Sequence, residues 1–212
     1  MKIKIFALTH KKFEVPQDKM YQPLQVGREG KEDLGYLCDN TGDNISAENC
    51  YYSELTGLYW IWKNVHAYKY VGTCHYRRYL LNEQEKIFTE TEYLELLKDY
   101  DLITTKRVVL NNSYHYGFAT NHNIHALDMT GEVIKELYPE YYDTFVQLVN
   151  GTETYFGNMI VTSKNGLIHT VNGCFTFFLR CRSGSVWKME RTIITNGCLD
   201  LFPSSCCLCG CA

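Results

Sequence analysis

A segment of helical periodicity, SELTGLYWIWKNV from Ser53 to Val65, runs almost directly into a short apolar strand, Tyr70 to Cys74, followed by His75, Tyr76, Arg77 and Arg78. Leu55, Leu58, Tyr59 and Trp62 recur at the spacing of one helix face, with Ser53 placed to cap it. A helix followed so closely by a strand implies α/β layering. The far end of that strand would deliver His75, Arg77 and Arg78 to the carboxyl edge of a sheet, where open α/β sheets bind ligands. An arginine fork matches phosphate oxygens, so the adjacent pair suits a diphosphate. The alternative is that one arginine pairs with a carboxylate at the core edge and the other is solvated.

The rest of the chain alternates in the same way. Lys2 to Thr9 reads as a strand, Thr91 to Asp99 as a helix and Leu102 to Thr105 as a strand. Asp128 to Leu137 reads as a helix, Pro139 allows a new one from Glu140 to Val149, and Asn158 to Thr162 is a last strand. The order predicts an α/β sandwich on a largely parallel sheet. Gly27 to Gly35 reads as a polar, mobile loop.

Composition narrows the function classes. The 212 residues can bury a single core, and the formal net charge of −3 argues against a nucleic-acid partner. No run reaches the roughly 18 apolar residues of a membrane span, and MKIKIFALTH alternates like a strand rather than a leader. A cytoplasmic location is expected, with peripheral contact at the inner membrane if the acceptor is lipid-linked.

Several strings in order resemble a known family: THKKF at 9–13, QVGREG at 25–30, DLGYLCDNTGDNIS at 33–46, SELTGLYWIWKN at 53–64 and VGTCHYRRYLL at 71–81. The similarity continues through DYDLIT at 99–104, HALDMTGEVIKELYPEYYDTF at 125–145 and YFGNMIVTSKNG at 155–166. They resemble a bacterial domain of capsular and exopolysaccharide biosynthesis loci whose members are described as glycosyltransferases. Together with the strand–helix order, the resemblance implies a GT-A-like fold, a single Rossmann-type nucleotide-sugar-binding domain over residues 1–166. The implied partners are a nucleotide-sugar donor and an oligosaccharide or lipid-linked glycan acceptor. A glycan-binding or assembly protein that retains the fold without turnover is the alternative.

Candidate residues follow from both readings. On the donor side, Arg77 and Arg78, helped by Lys11 or Lys12 after strand one, could neutralise a departing diphosphate, with Thr9 beside them. Asp39, Asp43 and Asn44 in CDNTGDN could hold sugar hydroxyls or a cation, or simply make turns. Glu54 and Thr56 open the aromatic helix, where an acid and a hydroxyl also suit the helix terminus; the resemblance adds donor-sugar contacts. Candidates for the base that takes an acceptor proton are His75, His122, His125 and Asp128. Tyr114, Tyr116 and Asn158 are acceptor-side candidates. No metal ligand is assigned: Asp99-Tyr100-Asp101 is the literal Asp-x-Asp, but it reads as a helix end and strand start, so a divalent cation is left open.

Cysteine usage breaks near the end. Cys38, Cys50 and Cys74 stand alone before residue 174, whereas Cys174, Cys181, Cys198, Cys206, Cys207, Cys209 and Cys211 crowd the remainder. CCLCGC lacks the spaced pairs of a zinc site, and a disulfide segment conflicts with the missing leader. The third reading is out-of-frame translation. Shifted by one base, synonymous codons after Gly166 permit FDSYCEWLFHIFFEV, which resembles the family's helical C terminus. Residues 167–212 are thus expected to be an anomalous tail that leaves the helical end of the fold incomplete, and an unstable or inactive frameshift product is the alternative to a working enzyme.

Overall fold

The computed structural model describes residues 2–183. In chain order these are β1 (Ile3–Thr9), β2 (Tyr21–Gln25), β3 (Leu37–Cys38), α1 (Asn49–Tyr52), α2 (Leu55–Asn64), β4 (Tyr70–His75), α3 (Glu90–Asp99), β5 (Leu102–Thr104), β6 (Arg107–Val109), α4 (Tyr114–Asn121), α5 (Ile124–Leu137), α6 (Pro139–Asn150), β7 (Glu153–Tyr155), β8 (Ile160–Ser163) and α7 (Lys164–Ser183). They fall into two compact units. The first holds Met1–Lys106 and Asn158–Val171; the second holds Arg107–Gly157 and continues from Asn172.

The first unit is built on a six-stranded sheet in the order β3-β2-β1-β4-β8-β5. β1 pairs in parallel with β2 and β4, and β2 in parallel with β3, while β8 is antiparallel to both β4 and β5. β5 therefore runs in the same direction as β4. The mixed α/β layering agrees with the sequence reading, and β8 is its one reversed strand. β1 is central, so its side chains are covered on both faces rather than alternately, as buried parallel strands require.

One face of the sheet packs Ile3, Ile5, Ala7, Cys74 and Val161 against Tyr93 and Leu97 of α3. The α3 helix begins at Glu90 because Thr89 and Glu92 form a reciprocal capping box: the Glu92 N–H donates to Thr89 Oγ1, and the Thr89 N–H donates to Glu92 Oε2. On the other face, Gly57 of α2 meets β1 and β2. A Cβ there would stand 2.6 Å from Val26 Cγ1 and 2.9 Å from Leu8 Cδ2, so glycine sets how closely the helix seats. At the other end of α2, Lys164 Nζ donates to the Ile61 and Trp62 carbonyls at 3.0 and 3.1 Å, a cation on a helix C terminus.

Two expectations are corrected. Ser53 does not cap α2: it sits at φ 47°, ψ −129°, and Glu54 takes the N-cap position without a side-chain cap bond. The Glu54 carboxylate is directed elsewhere, as described below. α5 starts at Ile124, four residues before the expected Asp128, because the Asn123 side chain accepts from the His125 N–H.

The second unit holds the β6–β7 ribbon and helices α4 to α6. Pro139 separates α5 from α6 as expected, and Gly131 lets the Phe145 ring approach, since a Cβ would lie 2.9 Å from Phe145 Cε1. α7 crosses the predicted boundary at Gly166, with Leu167, Val171 and Phe175 buried at four-residue spacing. The expected cysteine-rich tail from residue 184 lies outside the described residues. Among the described residues, no helix is long and apolar enough to cross a membrane.

Candidate functional site

The carboxyl ends of β1 and β4 lie side by side, with Ala7 paired to Cys74 and Leu8 to His75. Beyond them the chain turns tightly. Arg78 exchanges both backbone hydrogen bonds with His75, at 3.1 and 3.2 Å, which leaves Tyr76 and Arg77 at the tip. The Tyr76 N–H donates to the Leu8 carbonyl, fixing this turn to the end of β1. On the β1 side, Thr9 is buried and shapes the exit, its hydroxyl bonded to the Lys11 N–H and carbonyl.

Three elements meet at Glu54. Its Oε1 lies 3.6 Å from His75 Nε2, and Asn158 Nδ2, on the approach to β8, donates to the same oxygen at 2.9 Å. Burial opposes ionisation of this carboxyl. Hydrogen bonds from His75, Asn158 and its own backbone N–H, with the charge of His75, outweigh that effect and hold its pKa below the ordinary range. Three sequence candidates from separate strings are thus assembled into one acid–imidazole–amide group.

Cations gather beside it. Lys11 Nζ lies 5.3 Å and Arg77 Cζ 4.9 Å from the centre of the Tyr76 ring, and the His10 ring meets Tyr76 edge-on at 5.4 Å. The His10 pKa is depressed by partial burial and then by the charges of Lys11, Arg77, Lys31 and His75; the Lys31 ammonium itself donates to Asn49 Oδ1 at 3.3 Å. His10 and Lys31 were not among the sequence candidates. His10 adjoins Lys11 in THKK and was readable there; Lys31 depends on how the loop after β2 folds. Lys11, Lys12, Arg77 and Arg78 are all exposed, and of the four only Lys11 and Arg77 lie on the Tyr76 ring among the described contacts.

That loop is tied down by Asp39. Its fully buried carboxylate accepts from Gly27 N–H (2.7 Å), Arg28 N–H (3.1 Å), Ser46 Oγ (2.5 Å) and Thr56 Oγ1 (2.7 Å). Four protein donors occupy its oxygens, and Thr56 is likewise buried and engaged. Asp43 belongs elsewhere: it receives the Tyr59 hydroxyl at 3.0 Å, and its backbone bonds Asn64 at the far end of α2. With about 1.5 Å of rise per residue, that end is roughly 15 Å from Glu54. Asn44 bonds the Gly42 carbonyl and the Ser46 N–H, the pattern of a turn.

The Asp99–Asp101 pair lies at the opposite sheet edge. Leu102 pairs with Thr162, which pairs with Val71 near the start of β4, so Asp101 precedes the amino end while His75 marks the carboxyl end. Among the described residues, no group of three or more His, Cys, Asp or Glu is placed to hold a metal ion. The remaining candidates, Tyr114, Tyr116, His122, His125 and Asp128, belong to the second unit. There the His122 ring packs 4.9 Å from Phe118, Tyr114 stacks near Phe118, and Tyr116, His125 and Asp128 are exposed.

The same architecture occurs in a solved protein, the bifunctional glycosyltransferase WbbM in its apo structure. It superposes with a TM-score of 0.81 at 24% identity, over 95% of this chain and 41% of that one. The protein therefore spans less than half the length of that relative. Its architecture is a GT-A-like glycosyltransferase fold, with a mostly parallel central sheet flanked by helices. The model of the family described as "Domain of unknown function (DUF4422)" matches residues 4–180, and the chain belongs to this family. A search of curated proteins gives no match.

Proposed function

We propose that the protein is a glycosyltransferase of bacterial capsular or exopolysaccharide biosynthesis, moving a sugar from a nucleoside-diphosphate donor to a hydroxyl of an oligosaccharide or lipid-linked glycan. The observation that carries this reading is the pair of cations, Lys11 and Arg77, on the Tyr76 ring at the β1–β4 carboxyl edge, next to the Glu54–His75 pair. As the bond from the anomeric carbon to the diphosphate breaks, negative charge grows on the leaving oxygen. Fixed cations stabilise that charge where it develops. They do so with or without a divalent cation delivered with the donor.

His75 is the favoured base. With Nε2 turned to Glu54, Nδ1 is the ring nitrogen left to accept the proton of the acceptor hydroxyl in an inverting transfer. Glu54, kept ionised, then steadies the imidazolium, and Asn158 fixes the carboxylate. Asp39 and Thr56 act as loop anchors rather than sugar contacts. Among the described residues, the histidines of the second unit have no matching carboxylate ion pair, so His122 and His125 rank behind His75.

Turnover of a broad panel of nucleotide sugars tests the reading. The expected result is turnover of at least one donor, lowered about 10²- to 10⁴-fold by His75→Asn. Neither binding nor hydrolysis of any donor would overturn it. Oligosaccharide binding without nucleotide-dependent turnover would favour a glycan-binding role. Activity regained only when the frame after Gly166 is restored would identify the chain as an inactive frameshift product.

A further inference from the structure

We infer that Tyr76 is a positioning residue whose ring holds Lys11 and Arg77 in place for a diphosphate without occupying their N–H donors; this rests on the donor-binding reading above. Tyr76 is only 7% exposed and is held in its turn by the bond from its N–H to Leu8. Both cations lie within the roughly 6 Å at which a ring face attracts a positive charge. His10 and Phe13 pack on the same ring at 5.4 and 5.9 Å and fix its orientation.

The choice of partner matters. A carboxylate could also hold a lysine and an arginine, but it would cancel the charge the ligand needs and would compete with phosphate for their N–H donors. Among the described residues, neither Lys11 nor Arg77 joins an ion pair. A ring quadrupole orients a cation without neutralising it, and leaves its donors free for phosphate oxygens. It also restrains two long side chains that would otherwise lose much of their rotamer freedom on binding, and that repel each other. The adjoining arginine, Arg78, sits at the base of the turn and has no such ring contact among the described residues.

A merely structural Tyr76 would fill space, and fluorination separates the two roles because it weakens the quadrupole while nearly preserving shape. Phenylalanine and its mono-, di- and trifluorinated analogues are placed at position 76 of the full chain. Binding of inorganic pyrophosphate is measured by calorimetry at fixed low salt, with thermal unfolding alongside. The expected result is wild-type affinity for Tyr76→Phe, then a stepwise fall reaching about tenfold at the trifluorinated ring, with the unfolding temperature unchanged. Flat affinity across the series, with wild-type binding intact, overturns the inference alone. No wild-type binding of pyrophosphate or of any nucleoside diphosphate overturns the donor-site reading and this inference with it.

Discussion

Glu54 Oε1 lies 3.6 Å from His75 Nε2, and the amide of Asn158 reaches the same oxygen from 104 residues away in sequence. The backbone is forced at two points to achieve this. Ser53, just before the acid, has φ 47°, and Asn158 has φ 39°. Non-glycine residues held in that region usually mark a place where geometry is imposed by its surroundings, and such places cluster at functional sites.

Glu54→Gln keeps the shape of the group but removes the charge that steadies a protonated His75. Donor turnover is expected to fall about a hundredfold or more, with pyrophosphate affinity changed less than about twofold. Steady-state rates and calorimetry on the same preparation check this; a parallel loss of both would make Glu54 a folding residue.

The same substitution should alter acid stability. The Glu54 pKa is lowered from 4.5 in the folded chain, so its contribution is complete above that value and is lost as pH falls through the lowered one. Thermal unfolding from about pH 6 to about pH 3 should show a shallower decline in Glu54→Gln than in wild type.

His10 has linkage of the same sign, in a higher pH window. Its pKa is depressed below 6.5, so the unfolded chain binds more protons and His10 lowers stability as pH falls through 6.5 toward the depressed value. Imidazole NMR titration should place His10 below 6.5, nearer to it in Lys11→Met, and higher again with pyrophosphate bound. An unshifted His10 in Lys11→Met would mean that the lysine is not held where the structure has it.

Asp39 and Gly27 hold the loop that carries Lys31. Asp39→Ala would strand four donors, each charge-assisted bond contributing about 1.5–3 kcal/mol, and a loss of roughly 3 kcal/mol or more is expected. Gly27→Ala meets both a left-handed backbone at φ 60° and the Asn49 side chain 2.2 Å from the new Cβ, and should cost about 1–3 kcal/mol. Denaturant unfolding of each variant measures both.

Asp99→Asn and Asp101→Asn, at the amino edge of the sheet, should leave nucleoside-diphosphate affinity within about twofold of wild type, in the presence or absence of a divalent cation. Calorimetry with and without magnesium decides this. A magnesium-dependent loss in either variant would move the ligand to the other edge.

The helix α2, strand β4 and the arginines after it were legible because their periodicity and spacing are local. β2 was not. YQPLQ is polar and carries Pro23, yet it pairs with β1 because its surroundings supply the burial that its composition does not announce. Within CDNTGDN, Asp39 and Asp43 look alike, and the fold separates them: one is buried beneath four donors and the other is exposed at the far end of α2. Glu54 and Asn158 could each be named, but their meeting depends on strand order, which the sequence does not write locally. Lys31 was hidden for the same reason, in a loop whose course is set by Asp39.

Calorimetric binding of a panel of nucleoside diphosphates to the full chain and to Lys11→Met/Arg77→Met tests the central claim most directly. The account predicts that the wild-type chain binds at least one of them, more weakly as salt rises, and that the double variant loses about a hundredfold or more in affinity. Equal affinity in both proteins, or no binding to the wild-type chain at all, would contradict a diphosphate site at the carboxyl edge of β1 and β4.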